Sequence, residues 1–225
     1  MATQHGVPGE WARVRGTVLS LWPLFLAFTC LGAFAAALAA GRLTFLFATL
    51  FFASLIAVAV MWRQGVRRVE SFFIGARGEE RVAGIVAALP ESCHVFHDFV
   101  AGGRHVDHVI VGPAGVFSVE TKNWRGKVTL EDGYVLVDGR LADRSPLQQA
   151  IREAAAVKDE LAKTGWTGSV TPVLCFASDT FDAGCSAAGP ARLINAQELC
   201  GWLRAQPDAM APADIERLVQ LMSTL

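Results

Sequence analysis

Two uncharged stretches constrain this chain more than any other feature. Thr17 to Ala40 is 24 residues without Asp, Glu, Lys or Arg, and Leu43 to Trp62 is another 20. A helix of roughly 20 apolar residues spans the hydrocarbon core of a bilayer, so each stretch is long enough. Only Gly41 and Arg42 separate them, which requires a tight antiparallel hairpin. A cleaved signal peptide fits poorly, because its apolar region is roughly 7–15 residues and here a second span follows at once. The sequence therefore predicts an N-terminal segment over residues 1–16 and a transmembrane helical hairpin over 17–62, with spans at 17–40 and 43–62. Arg13 and Arg15 precede the first span, Arg63, Arg67 and Arg68 follow the second, and Arg42 alone lies in the turn. Lys and Arg concentrate in cytoplasmic loops. Both termini and the domain that follows are thus expected on the cytoplasmic face of the inner membrane, in a multi-pass arrangement with the lipid bilayer as partner. Trp22 and Trp62 sit near span ends, as interfacial anchors do. Gly32, Ala36 and Ala40 are either a close-packing face or low-bulk filler. No ionisable group lies within either span, so the hairpin reads as an anchor and not as an ion pathway.

The net charge of −1 conceals two objects. Residues 1–69 carry six basic groups and one acidic; residues 70–225 carry 14 basic and 20 acidic, a balance of −6. The second region has the charge density of an ordinary soluble domain. An acidic domain exerts no bulk pull on nucleic acid, so a function there requires a local patch or a metal. The five cysteines, Cys30, Cys93, Cys175, Cys185 and Cys200, are odd in number and lack Cys-x-x-Cys spacing. That fits free thiols in a reduced compartment.

Residues 63–225 read as one α/β domain, a mixed β-sheet flanked by helices. Arg77 to Leu89 has helical periodicity, with Val82, Ile85, Val86 and Leu89 on one face and Pro90 ending it. Val95–Val100, Val106–Val111 and Val116–Thr121 read as strands. Lys127–Glu131 and Tyr134–Val137 form a hairpin across Asp132 and Gly133, and Asp138-Gly139 makes the next turn. Ser145 caps a helix with Pro146 at its first position; Leu147, Ala150, Ile151, Ala154 and Leu161 mark its buried face, and Gly165 closes it. Val170–Ala177 is an apolar strand. Arg192–Ile194 is a short one, followed by helices from Asn195 and Pro212.

The chemistry concentrates around the turn Gly112 to Gly115. Pairing Val111 with Val116 sets Asp107 opposite Glu120 on one face of the sheet, and Lys122 shares that face. Two opposed carboxylates repel, so something must compensate. A divalent cation is one candidate, since hard oxygen ligands suit Mg²⁺ or Mn²⁺. Lys122 would then orient or deprotonate a water, or stabilise phosphoryl charge. An Asp/Glu/Lys salt-bridge cluster on a solvated face is the other reading. Glu79 lies on the flank of the first helix's apolar face and leans toward the sheet; an acid placed there only by the helix dipole is its plainer explanation.

Taken together, Gly75, Gly78 and Glu79, the run Val106 to Val111, the run Gly115 to Asn123, Gly126, and Pro146 with Gln149 resemble the NERD (nuclease-related) domain. The resemblance covers about residues 71–180. That family is related to the PD-(D/E)xK nucleases, so it implies a mixed sheet flanked by helices and metal-assisted phosphodiester hydrolysis of DNA or RNA. It implies Asp107 and Glu120 as metal-binding acids, Lys122 as catalytic lysine, Glu79 as the helix acid and Gln149 as the polar residue of the following helix. Thr121 would offer its carbonyl to the Mg²⁺ or Mn²⁺. Val106-Asp107 stands where the superfamily often has Pro-Asp. A non-catalytic module that keeps the fold and localises a partner at the membrane is the alternative.

Other signals carry less. His94, His97, His105 and His108, with Cys93, suggest zinc, but three-residue offsets in strands put side chains on opposite faces. Trp124-Arg125-Gly126-Lys127 is either a backbone contact for nucleic acid, with Trp124 stacking on a base, or an ordinary turn around a packed indole. The loop Ala101 to Arg104 lacks the Gly-Lys-Ser/Thr ending of a phosphate loop.

Overall fold

The alternating apolar runs build a seven-stranded mixed sheet. The computed structural model describes residues 1–41 and 45–224. Arg42, the expected turn residue, and Leu43, the expected start of the second span, lie outside them. The chain divides into one unit of Met1–Glu10 with Gly75–Leu225 and another of Trp11–Ile74.

In the first unit, a strand missed by the sequence reading comes first: β1 (Thr3–His5) pairs in parallel with β2 (His94–Ala101). The chain returns to this unit within a long helix, described below, that ends at Val86. Next come β3 (Arg104–Gly112), antiparallel to β2, and β4 (Gly115–Lys122), antiparallel to β3. Three short strands, β5 (Val128–Glu131), β6 (Tyr134–Val137) and β7 (Arg140–Leu141), form a separate small sheet before α3 (Pro146–Ala162). Here α3 denotes the third helix of the chain, after the two of the second unit. Ser145 caps it by accepting the Gln148 N–H, as its sequence position implies. Then β8 (Val170–Phe176) lies parallel to β4, β9 (Cys185–Ala188) forms an edge, and β10 (Ala191–Asn195) pairs with both β8 and β9. Helices α4 (Ala196–Arg204) and α5 (Pro212–Met222) complete the unit. The strand order β1-β2-β3-β4-β8-β10-β9 makes a mixed sheet flanked by helices.

The layers follow from alternation along each strand. Val95, Ile110, Val119, Val173 and Ile194 pack with Val82, Val86 and Leu199 on one side. Val109, Val111 and Val116 pack with Val157, Leu161, Ile215 and Leu218 on the other, and Leu174, Phe176 and Leu193 join Leu147 and Ala150 there. Asn195 does not cap α4 through its side chain. Its amide instead bonds both backbone groups of Phe181, at 3.0 and 2.9 Å.

The second unit holds α1 (Glu10–Ala39) and the first part of α2 (Phe45–Val86). Among the described residues α1 alone is long and apolar enough to cross a membrane; the apolar part of α2 that passes as a helix segment is shorter, Ala48–Val60. The expected helix from Arg77 is no separate element but the last turns of α2. Nearly all of the apolar surface of α1 faces outward, with Phe25, Phe28 and Leu31 exposed. Phe34 stacks on Phe51 at 4.3 Å and Trp11 meets Phe72 edge-on at 6.3 Å. Those two contacts set the helices antiparallel. Gly32 does not serve as a close-packing position: a Cβ there would meet nothing within 4 Å, and Ala36 and Ala40 are exposed. Aromatics make the contact at one end, and near the other Gly16 lies close against Phe72, where a Cβ would sit 3.3 Å from the Phe72 Cβ.

Candidate functional site

The hairpin register places the site. Val111 pairs with Val116, Ile110 with Phe117 and His108 with Val119. Continuing this register sets Asp107 opposite Glu120, as the sequence implies, but the ladder stops one pair short. On the other flank the β2–β3 ladder skips a pair between His97↔His108 and Phe99↔Val106. The skipped residue is Asp98, in a left-handed conformation with φ 52°; Asp is one of the few side chains that tolerate this. Asp107 thus sits where both ladders open. Its Oδ2 takes the Thr121 backbone N–H at 2.7 Å, so a side chain replaces main-chain pairing. His105 Nδ1 lies 2.7 Å from Asp98 Oδ1.

Glu120 and Lys122 alternate onto the α3 face. Lys122 Nζ donates to Glu120 Oε1 at 2.5 Å and to Gln149 Oε1 at 3.1 Å. The Gln149 amide donates to Glu120 Oε1 at 2.8 Å and to Glu153 Oε1 at 2.9 Å. One amide therefore bridges three ionisable groups. Glu153 was not singled out from the sequence. It lies four residues after Gln149 on the same helical face and is buried; its Oε2 has no partner among the described residues.

Glu79 comes from the opposite layer. It lies well inside α2, so attraction to a helix N-terminus does not account for it. Gly78 lets α2 approach the end of β4: a Cβ there would sit 2.6 Å from Asn123 Cβ. Gly78→Ala is expected to lose about 1–2 kcal/mol net, because overpacking outweighs the helix propensity gained; thermal unfolding beside wild type checks it. Thr121 alternates to this face too, and its Oγ1 is buried without a partner among the described residues.

The site holds more carboxylate than its one lysine neutralises. Burial, then Asp98 and Glu120, push Glu79 up to about 7. Burial, with Glu120 and Glu79 beside it, pushes Asp107 well above the ordinary carboxylate range. Burial and Glu120 push Glu153 up to about 9. For Lys122, burial pulls its ammonium down, yet Glu120, Asp107 and Glu153 together raise it. It stays protonated.

These are hard oxygen donors, suited to Mg²⁺ or Mn²⁺. Among the described residues, however, no three His, Cys, Asp or Glu side chains come together in an arrangement that could hold a metal ion. Lys122 occupies Glu120, and Thr121 N–H occupies Asp107. The histidines pair off instead of gathering as three ligands among the described residues. His97 and His108 meet across strands at 2.8 Å, while His94 faces His5 at 3.4 Å.

No curated protein and no solved structure matches the chain. The family model of the nuclease-related domain does match residues 74–177. That stretch contains Glu79, Asp107, Glu120, Lys122, Gln149 and Glu153, and it is a NERD-domain segment.

Proposed function

We propose that this chain is a membrane-anchored, nuclease-like protein that hydrolyses phosphodiester bonds of DNA or RNA with Mg²⁺ or Mn²⁺. The observation that carries the reading is the Gln149 amide bridging Glu120, Lys122 and Glu153 beside Asp107, inside a nuclease-related segment. The mixed sheet flanked by helices supports kinship with the PD-(D/E)xK nucleases. Asp107, Glu120, the Thr121 carbonyl and Glu79 would hold the cation, which would polarise a phosphoryl oxygen and acidify a water. Gln149 orients the Lys122 ammonium. Because its neighbours keep it charged, Lys122 acts by neutralising phosphoryl charge and not as a base.

One observation favours the non-catalytic module: residues 70–225 carry 14 basic and 20 acidic groups, so the domain has no bulk pull on nucleic acid. The two readings separate in one assay. The full chain in neutral detergent is incubated with Mg²⁺ or Mn²⁺ and plasmid, single-stranded DNA or RNA. Cleavage that disappears in Asp107→Ala and Lys122→Met is expected. No cleavage, or equal cleavage by Asp107→Ala, leaves the scaffold reading.

The proposal includes a return crossing, with both termini cytoplasmic. The chain leaves the first unit at Glu10 and rejoins it at Gly75, and β1 lies in the same sheet as β2. Two points on one side of a bilayer require an even number of crossings. If α1 crosses, this reading has the uncharged start of α2 cross back. In intact cells Gly41→Cys should react with an impermeant maleimide above the wild-type background, while a C-terminal green fluorescent reporter stays bright. An unreactive Gly41→Cys would falsify the hairpin.

A further inference from the structure

The acidic balance of the domain left its grip on a polyanion unexplained. A cleft of about 540 Å³ opens beside the site, and Lys122 and Gln149 are part of its lining. Its walls come from three separate places: Arg125 after β4, Arg140 in β7, and Arg144 just before α3. Asp143 is the one acid lining it among the described residues. All three arginines are exposed, and none makes an ion pair among the described residues. The half-buried Trp124 indole lines the same cleft and tilts against Phe176 at 6.1 Å. Unpaired cations converging on a concave, partly aromatic slot are a local basic patch on an acidic body.

We propose that this cleft binds the sugar-phosphate backbone of a nucleic-acid strand and leads it to Lys122, with Arg125, Arg140 and Arg144 on successive phosphates. The assignment rests on the nuclease-like reading and adds the substrate path to it. Guanidinium groups suit phosphate through bidentate hydrogen bonds, and an indole at the wall suits a base face. Anionic lipid headgroups share the phosphate chemistry. They present it on a plane, however, whereas these groups line a cleft whose lining includes Lys122 and Gln149 of the site. The small sheet β5-β6-β7 thereby gains a purpose: it carries Arg140 and one wall of the cleft.

The test reads binding apart from catalysis. The full chain in neutral detergent is titrated, in EDTA, against a labelled single-stranded oligonucleotide and its duplex, from low to high salt. Each phosphate contact contributes roughly 0.7 to the log–log salt slope for a single strand and about 0.9 for a duplex. Arg125→Gln/Arg140→Gln/Arg144→Gln should therefore lower the slope by about 2 and weaken binding roughly 100-fold at 0.1 M salt. Arg104→Gln/Lys158→Gln/Arg217→Gln, which removes equal charge from exposed positions outside the cleft, should bind as wild type does. Unchanged thermal unfolding confirms that each triple variant folds. Equal losses in the two variants overturn the proposal. So does a wild type that binds anionic vesicles but not nucleic acid, with vesicle binding lost in the cleft variant. Binding without cleavage would defeat the catalytic reading alone; wild-type cleavage by the cleft variant would defeat this one alone.

Discussion

Lys122→Met is expected to destabilise the domain by about 3–5 kcal/mol at pH 8, the usual consequence of removing one partner from a buried ion pair. Glu120 is 3% exposed and has Lys122 as its countercharge, with Gln149 as the neutral third member. Without the ammonium, Glu120 faces Asp107 and Glu153 with no cation between them. The loss should depend on pH, and its direction is fixed. Glu79, Asp107 and Glu153 already have raised values in the fold. A carboxyl raised on folding binds its proton more tightly in the native state, so stability falls as pH climbs from the unfolded value toward the folded one. For Glu79 that window runs from 4.5 to about 7, and for Glu153 from 4.5 to about 9. Removing Lys122 raises these values further, so the deficit should shrink to about 1 kcal/mol near pH 5, where protons replace the missing cation. Thermal or denaturant unfolding of the full chain in detergent at both pH values measures it. Mn²⁺ should also recover part of the deficit at pH 8, if the acids accept a cation as proposed. A deficit equal at the two pH values would remove the electrostatic account of the site.

The parts of the site legible in the sequence were those set by alternation and turn chemistry. The Gly112–Gly115 turn fixed the register, so Asp107, Glu120 and Lys122 came out on one face. Ser145 with Pro146 fixed the start of α3 and hence the reach of Gln149. Glu153 was legible in principle: it follows Gln149 by four residues. Its neighbours Ala150, Ile151 and Ala154 mark an apolar face, however, and a buried acid breaks that pattern only if its partners are known. Asp98 was not legible, because its left-handed turn interrupts an otherwise regular strand opposite Asp107, and an Asp that tolerates this conformation does not by itself mark where it occurs. β1 escaped because three residues carry no period and its partner lies 91 positions away, Thr3 against His94. The run from Arg77 was correctly helical but wrongly begun. Its continuity with the apolar part of α2 turned an apparent N-terminal acid, Glu79, into one held by packing at Gly78.

Acidification from pH 6.5 to 4 should remove stability through the pair His97–His108. The hydrogen bonds dictate a single neutral arrangement. Gln4 Oε1 accepts the Nε2–H of His97, so His97 Nδ1 must accept from the Nδ1–H of His108 at 2.8 Å. The His108 Nε2 lone pair is then buried without a partner among the described residues. Protonating His97 sets two N–H groups face to face; protonating His108 places a charge on a fully buried ring. Burial, then His5, push His97 down to about 4, and burial, then His97, push His108 down to about 3. Histidines depressed on folding contribute stability above the unfolded value near 6.5, and it is lost as pH falls through the folded one. For His97 alone the displacement corresponds to roughly 3 kcal/mol. The raised carboxyls of the site oppose this trend, and His5 and His94 stand close by, so the wild-type curve alone does not isolate the pair. The difference between wild type and His97→Gln/His108→Leu does. Unfolding free energies from pH 7.5 to 4.5 should move in the variant's favour by about 3 kcal/mol or more. A difference that stays flat across that range would mean that the two rings take up their protons without disturbing the fold. Because His97 also holds Gln4, hydrogen exchange should show β1 losing protection from β2 first as the pH falls. The earliest structural event on acidification is then release of the strand from which the chain leaves its domain for α1.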